Sequence, residues 1–342
     1  MEKIKIGIIG MGRMGITHYS IINSRSDVEI TAISDTSKMM LDINKKFNPA
    51  LELYPDYRKM IEKSTLDGII VCTPPTLHYD ICKAACQKKI AVFCEKPFTS
   101  NVGQARELTE MFQKAGLVNQ VGYVNRFNDV FVRVRELVQA GILGRIVRFK
   151  SEMFSATVIK PTSGSGWRSK RSDGGGCTFE MASHALDLVN YFLGKPTKTV
   201  GAEMTSIYSK TVEDAVSATL VYDNGMSGTV YVNWSDTSYR KPSNKIEIFG
   251  TGGKLLADQH GMKVFMNEAN DSFKFRKGWN TIYITDVFRP VPFYVRGNEF
   301  TNQLYHFADA IKTGSRETLC SFADGLAVLE IIQEIFSTCN VL

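Results

Sequence analysis

The chain has 342 residues, 44% hydrophobic and 22% charged, with a formal net charge of +6. The length exceeds the ~250–300 residues at which a single core stops growing, so two domains are expected, and the composition excludes a disordered or fibrous chain. Lys and Arg are scattered rather than gathered into arms, which argues against a nucleic-acid partner, and no run reaches the ~20 apolar residues of a membrane span, so no membrane partner is expected.

Residues 3–9 read as an apolar strand that runs into Gly10-Met11-Gly12-Arg13-Met14-Gly15, followed by a helix over 14–24 and a strand over 28–33 that delivers Asp35. Each residue type has a physical reason. Gly10 permits a tight turn, Gly12 lets the backbone approach a pyrophosphate, and Gly15 lets helix and strand pack closely. The helix start aims free N–H groups at phosphate, and a carboxylate at Asp35 accepts hydrogen bonds from ribose hydroxyls. Asp35 would repel a 2′-phosphate, which favours NAD; Lys38 softens that repulsion and keeps NADP open.

Helices are predicted over 37–46 and 56–64. The strand 68–72 lacks polar alternation, as expected for a strand covered on both faces of a parallel sheet. Thr73-Pro74-Pro75 then forces the chain away from the sheet and leaves space for a nicotinamide, with His78 in the first turn of a helix over 76–87. The strand 90–94 delivers Glu95-Lys96-Pro97, which sets Lys96 at the mouth of the cofactor cleft, outside the carboxyl ends of the strands. A helix over 101–115 and a strand over 117–121 complete an α/β doubly wound sheet.

Past Gly122 the pattern changes. A helix over 128–140 precedes a long strand, 146–158, and a loop over 160–176 that carries Lys160, Arg168, Lys170 and Arg171. A helix over 177–192 follows, then strands with period-two alternation over 198–208, 212–222, 226–235, 244–250 and 253–257, with a hairpin signal at Asp223-Asn224-Gly225. Two helices, 298–313 and 321–338, close the chain. The expected arrangement is a dinucleotide-binding domain over 1–122 and a second α+β domain over 123–342, built on a large, mainly antiparallel sheet open on one face.

Seven Cys without a CxxC pair read as reduced thiols, and the N-terminus lacks a signal-peptide layout, so a cytoplasmic location is expected. On the helix over 177–192, Glu180, His184 and Asp187 are spaced four and three apart, which places them on one face. Such a trio suits general acid/base work or a divalent ion; with no further His or Cys beside it, no metal is expected.

Three motifs in order, the glycine turn, Glu95-Lys96-Pro97 and the segment from Gly174 to Asp187, resemble the signatures of the Gfo/Idh/MocA family, typified by glucose-fructose oxidoreductase and inositol dehydrogenase. The similarity extends to residues 122–127 and to Gly166-Trp167-Arg168. The resemblance implies a Rossmann domain, an open-sheeted C-terminal domain that builds a homodimer or homotetramer, and NAD(P)-dependent hydride exchange with a secondary alcohol of a sugar, polyol or derivative. It gives Lys96 and His184 catalytic positions, His184 as base and Lys96 on the substrate oxygen. Glu180 joins them as the third catalytic residue, orienting substrate or imidazole, and stands where the family usually has Asp.

By the same resemblance and the motif readings, the cofactor contacts are Gly10, Met11, Gly12, Arg13, Met14, Asp35, Lys38, Thr73, Pro74, His78, Glu95, Lys96, Asn125, Trp167 and Arg168. The substrate contacts are Lys96, Tyr123, Arg126, Glu180 and His184. The basic loop leaves a phosphorylated or nucleotide-linked sugar open. Two alternatives stand beside the dehydrogenase: a cofactor-sensing relative without catalysis, which would have lost the Lys and His, and an NAD-dependent glycosidase of the same family.

Overall fold

A computed structural model describes residues 3–161 and 166–340, and they form two compact units. The first comprises residues up to Val124 together with Pro290–Leu326; the second comprises Asn125–Arg289 together with the residues from Ala327 onward. The chain thus leaves the first unit, completes most of the second, and comes back.

The first unit alternates β1 (Ile4–Ile9), α1 (Arg13–Ile22), β2 (Val28–Ser34), α2 (Lys38–Phe47), β3 (Glu52–Tyr54), α3 (Tyr57–Lys63), β4 (Gly68–Val71), α4 (His78–Gln87), β5 (Ala91–Cys94), α5 (Val102–Ala115) and β6 (Asn119–Val121). All six strands are parallel, in the order β3-β2-β1-β4-β5-β6. The order reverses between β1 and β4, the topological switch point at which such sheets open a ligand crevice. Ile69, Ile70 and Val71 of β4 are fully buried, which is why that strand carries no polar alternation. Ser37, Asp56 and Asn101 cap α2, α3 and α5 by accepting backbone N–H groups, so these helices start where a short polar side chain stands.

The second unit contains α6 (Asp129–Gln139), β7 (Ile146–Phe154), α7 (Ser183–Leu193), β8 (Lys198–Thr205), β9 (Ala215–Val221), β10 (Ser227–Asn233), β11 (Ser243–Gly250), β12 (Gly253–Asp258), β13 (Gly261–Met266), β14 (Gly278–Tyr283) and the single turn α8 (Ile284–Val287). The helix α9 (Asn298–Thr313) belongs to the first unit; α10 (Phe322–Thr338) starts there and continues in the second, which ends with β15 (Cys339–Asn340). The sheet runs β14-β13-β12-β11-β7-β10-β9-β8-β15 and is antiparallel except where β7 pairs β10 and β8 pairs β15.

The hairpin at Asp223-Asn224-Gly225 joins β9 to β10, with Gly225 at φ +81°. In β10 the side chains of Val230 and Val232 point to the core and those of Thr229 and Tyr231 away from it, the alternation of a sheet with one covered face. The face bearing Lys150, Glu152, Lys245, Glu247, Lys263 and Tyr283 lines an open depression.

Four local expectations change. The strand predicted over 146–158 stops at Phe154, beyond which Ala156 makes only an isolated bridge to Ser235. The helix predicted from residue 177 begins as a π-helical turn, Thr178–Ala182, before α7. Strands β13 and β14 arise from segments that the sequence reading left unassigned. Helix α9, remote in sequence, packs in the first unit's core: a Cβ at Gly68 would lie 2.7 Å from Ile311 Cδ1, and Phe307 meets Phe93 edge to face.

Candidate active site

In the first unit the glycine turn has the geometry its composition implies. Gly10 adopts φ +92°, and a Cβ there would come 2.9 Å from the backbone carbonyl of Cys72. A Cβ at Gly15 would sit 1.9 Å from Gly10 O, so no side chain is tolerated where α1 leaves the turn. Gly12 faces open space, with no atom within 4 Å of the position a Cβ would take. It is also the N-cap of α1, without a side-chain cap, and the Ile16 amide is the donor that reaches back to Gly12 O at 3.0 Å. A bare helix start facing an open glycine suits a pyrophosphate.

Asp35 closes this turn from the end of β2. Its carboxylate accepts the amide of Met11 at 2.6 Å and that of Ser37 at 2.7 Å. The Met11 side chain is buried in the core, so its amide and side chain serve the turn itself. Arg13 and Lys38 are exposed, at the first residues of α1 and α2, and Met14 is half-buried.

The Pro-rich turn is held from beneath by His78. Its Nδ1 lies 3.0 Å from the Pro97 carbonyl and its Nε2 2.9 Å from that of Thr73, and burial lowers its pKa despite those carbonyls. The expectation of a cofactor contact is therefore corrected: His78 is fully buried and ties the loop after β4 to the loop after β5. Thr73 is half-buried and Pro74 exposed above it. Glu95 and Lys96 follow β5 directly, both half-buried, and the Lys96–Pro97 peptide bond is cis. Glu95 accepts a hydrogen bond from His18 Nε2 at 2.6 Å, a partner that the sequence reading missed because nothing in a helix pattern marks one histidine as turned toward a distant strand.

In the second unit the triple glycine is required by contacts. Gly174 and Gly176 have φ +82° and +100°; a Cβ at Gly175 would strike the carbonyls of Trp167 and Arg168 at 2.4 Å, and one at Gly176 would lie 2.6 Å from Glu213 Oε1. Glu213, buried on the segment before β9, accepts the Thr178 amide and pairs with Arg171 at 2.9 Å, so it fixes the start of the π turn. Sequence reasoning passed over Glu213; its only local signal is an acidic pair, Glu213-Asp214, next to an apolar strand.

Glu180, His184 and Asp187 have different surroundings. Glu180 lies on the π turn, where Arg168 Nε reaches its two oxygens at 2.9 and 2.7 Å while the guanidinium lies over the Trp167 ring. His184 is half-buried in the first turn of α7. Asp187, one turn later, is buried and gripped by Arg126. The three groups therefore differ in exposure, Glu180 and His184 half-buried and Asp187 buried, and Glu180 alone stands on the π turn.

Arg126 and Tyr123 also depart from expectation. Arg126 is 3% exposed and ion-paired, and Tyr123 is fully buried, so neither presents surface to a substrate. Asn125 is half-buried in the short turn that precedes α6. Among the described residues no group of three or more His, Cys, Asp or Glu side chains is placed to hold a metal ion.

A six-stranded Rossmann sheet with an open glycine turn closed by Asp35, followed by an open-sheeted α/β unit, is the architecture of a dinucleotide-binding protein. Residues 4–123 match the sequence model described as the oxidoreductase family with an NAD-binding Rossmann fold, and residues 131–256 match its GFO/IDH/MocA C-terminal domain. The chain belongs to the Gfo/Idh/MocA family of oxidoreductases.

It is 25% identical over 342 residues to an uncharacterized oxidoreductase, YrbE, of Bacillus subtilis, covering 95% of this chain and 91% of that one. It is 26% identical over 265 residues to a myo-inositol 2-dehydrogenase of Thermotoga maritima, covering 75% of each. Among solved structures, a levoglucosan dehydrogenase in complex with NADH and levoglucosan superposes with a TM-score of 0.84 at 20% identity, over 98% of this chain and 97% of that one. Among the described residues no helix is long and apolar enough to cross a membrane.

Proposed function

We propose that the protein is a dehydrogenase that oxidises a secondary alcohol of a sugar or polyol with NAD. The observation that carries this reading is the presence of Lys96 directly after β5 and His184 at the start of α7 in a chain whose dinucleotide turn is fully formed. The relatives named for inositol and levoglucosan support the substrate class. A cofactor-sensing relative has no need of either residue.

When bound, NAD supplies the hydride acceptor. His184, whose side-chain type titrates nearest neutrality, takes the hydroxyl proton. Lys96 donates to the same oxygen and stabilises the negative charge that develops on it. Glu180 orients the substrate or the imidazole, with Arg168 holding its carboxylate. We assign cofactor binding to residues 1–122 and substrate binding to 123–342.

The basic loop favours an uncharged substrate. Arg168 and Arg171 already meet Glu180 and Glu213, which leaves little guanidinium charge for a phosphate. Seven Cys without a CxxC pair support a cytoplasmic location, and the open sheet face supports a homodimer or homotetramer. The test is a panel of polyols, sugars and nucleotide sugars followed by NADH absorbance. Release of free sugar without net NADH would replace the dehydrogenase with the glycosidase reading, and NAD binding without turnover of any compound would favour the sensor.

A further inference from the structure

We infer that His18 is a positioning residue for Lys96, acting through the carboxylate of Glu95. The inference rests on the proposed catalytic role of Lys96.

His18 sits on α1, one turn past the glycine turn, and is fully buried, its ring edge-on to Phe93 of β5 at 5.3 Å. Its Nε2–H donates to Glu95 Oε1 at 2.6 Å, while Nδ1 has no partner among the described residues. The other carboxylate oxygen, Oε2, accepts the backbone N–H of Lys96 at 3.2 Å. Behind it stands Gly122, where a Cβ would come 3.0 Å from Oε2, so the space around the carboxylate is closed on that side too.

Glu95 is therefore held at both oxygens, one by α1 and one by the backbone from which the Lys96 side chain departs. Burial pushes its pKa up, but His18 and Lys96 outweigh this and keep it below the usual carboxylate range. His78, Cys72, Cys94 and Arg296 also lie within reach of its charge. A buried histidine–carboxylate pair adds little stability over apolar residues of the same volume, because desolvation offsets the attraction. What it does accomplish is to join the helix carrying the cofactor turn to the Lys96 backbone and to set a fixed negative charge beside the lysine.

The test uses the full-length protein with NAD and an active substrate. His18→Phe fills the volume without a donor, and His18→Gln keeps an N–H at comparable reach. His18→Phe is expected to lower kcat by roughly 10- to 100-fold, the range for losing a hydrogen bond to a charged group, with NAD affinity and KM little changed and with His18→Gln restoring most of the loss. The acylation of Lys96 as a function of pH, read by mass spectrometry, reports its environment without any turnover. Removing the charge with Glu95→Gln should move the midpoint of that profile to lower pH, because the carboxylate stabilises the ammonium.

Equal losses in His18→Phe and His18→Gln would reduce His18 to packing and overturn the proposal. So would an unmoved acylation profile in Glu95→Gln, a measurement that holds even if His18→Phe fails to fold. Full activity in Lys96→Ala would instead remove the catalytic reading on which the proposal rests.

Discussion

The guanidinium of Arg126 closes on the carboxylate of Asp187, Nε at 2.9 and 3.1 Å and Nη2 at 2.7 Å, with both side chains buried. The Tyr191 ring lies beneath it, 5.1 Å from Arg126 and 4.3 Å from Arg135. The pair ties the turn before α6 to the second turn of α7, the helix that carries His184. Removing one partner strands the other charge in the interior. Arg126→Ala should therefore cost about 3–5 kcal/mol in urea unfolding, whereas the double change Arg126→Met with Asp187→Leu should restore most of it. A loss no larger than that of a surface substitution would show that the pair does not hold α7.

Asp214 offers a pH test. Burial raises its pKa, but hydrogen bonds from Ser209, Trp234 and Tyr208 outweigh that and hold it below the usual carboxylate value. The amides of Ile207, Tyr208 and Ser209 converge on Oδ2 at 2.6–2.8 Å, and Trp234 Nε1 donates to Oδ1 at 2.5 Å. A carboxylate with a depressed folded pKa contributes stability above its unfolded value, near 4, and that contribution is lost as pH falls through the folded pKa. Asp214→Asn should lower the melting temperature at neutral pH and flatten the acid limb of stability against pH. An unchanged acid limb would contradict the role.

His184→Ala should reduce kcat by about 10²–10⁴, the range for a lost general base, while NAD titration gives an unchanged affinity. Lys96→Ala should reduce kcat comparably, again with NAD affinity unchanged. If either variant turns over at the parent rate, the acid/base assignment fails.

Asp35, proposed to accept the ribose hydroxyls of NAD, ties the turn through the Met11 amide. Asp35→Ser should weaken NAD roughly 10- to 100-fold, as expected for losing hydrogen bonds to a charged group, and should narrow the gap to NADP by removing the repulsion. Isothermal titration with both cofactors checks this. A parent protein that already prefers NADP would overturn the reading of Asp35.

Much of the first unit was legible because its signals are local. Apolar runs flanked by glycine, proline and capping residues predict parallel strands and helix starts, and the glycine turn can be read from steric needs at Gly10, Gly12 and Gly15. The hairpin at Asp223-Asn224-Gly225 was readable for the same reason. The strands β13 and β14 were not: Gly278–Tyr283 is an edge strand with no buried residue, and in Gly261–Met266, where Met262, Val264 and Met266 are buried, Phe265 between them blurs the alternation.

The sequence by itself determined most of the order of elements, the glycine turn and the residue types able to do acid/base chemistry, since each depends on neighbours within a few positions. Only the tertiary structure decided which charges meet. It sent Arg126 to Asp187 instead of to a substrate, Arg168 to Glu180, Arg171 to Glu213, and His18 to Glu95. It buried His78 and Tyr123, and it brought α9 back to the first unit's core. Such pairings join residues from 12 to 77 positions apart. Their partners are chosen by the desolvation cost of leaving a buried charge unmet, a quantity that exists only once the chain has folded.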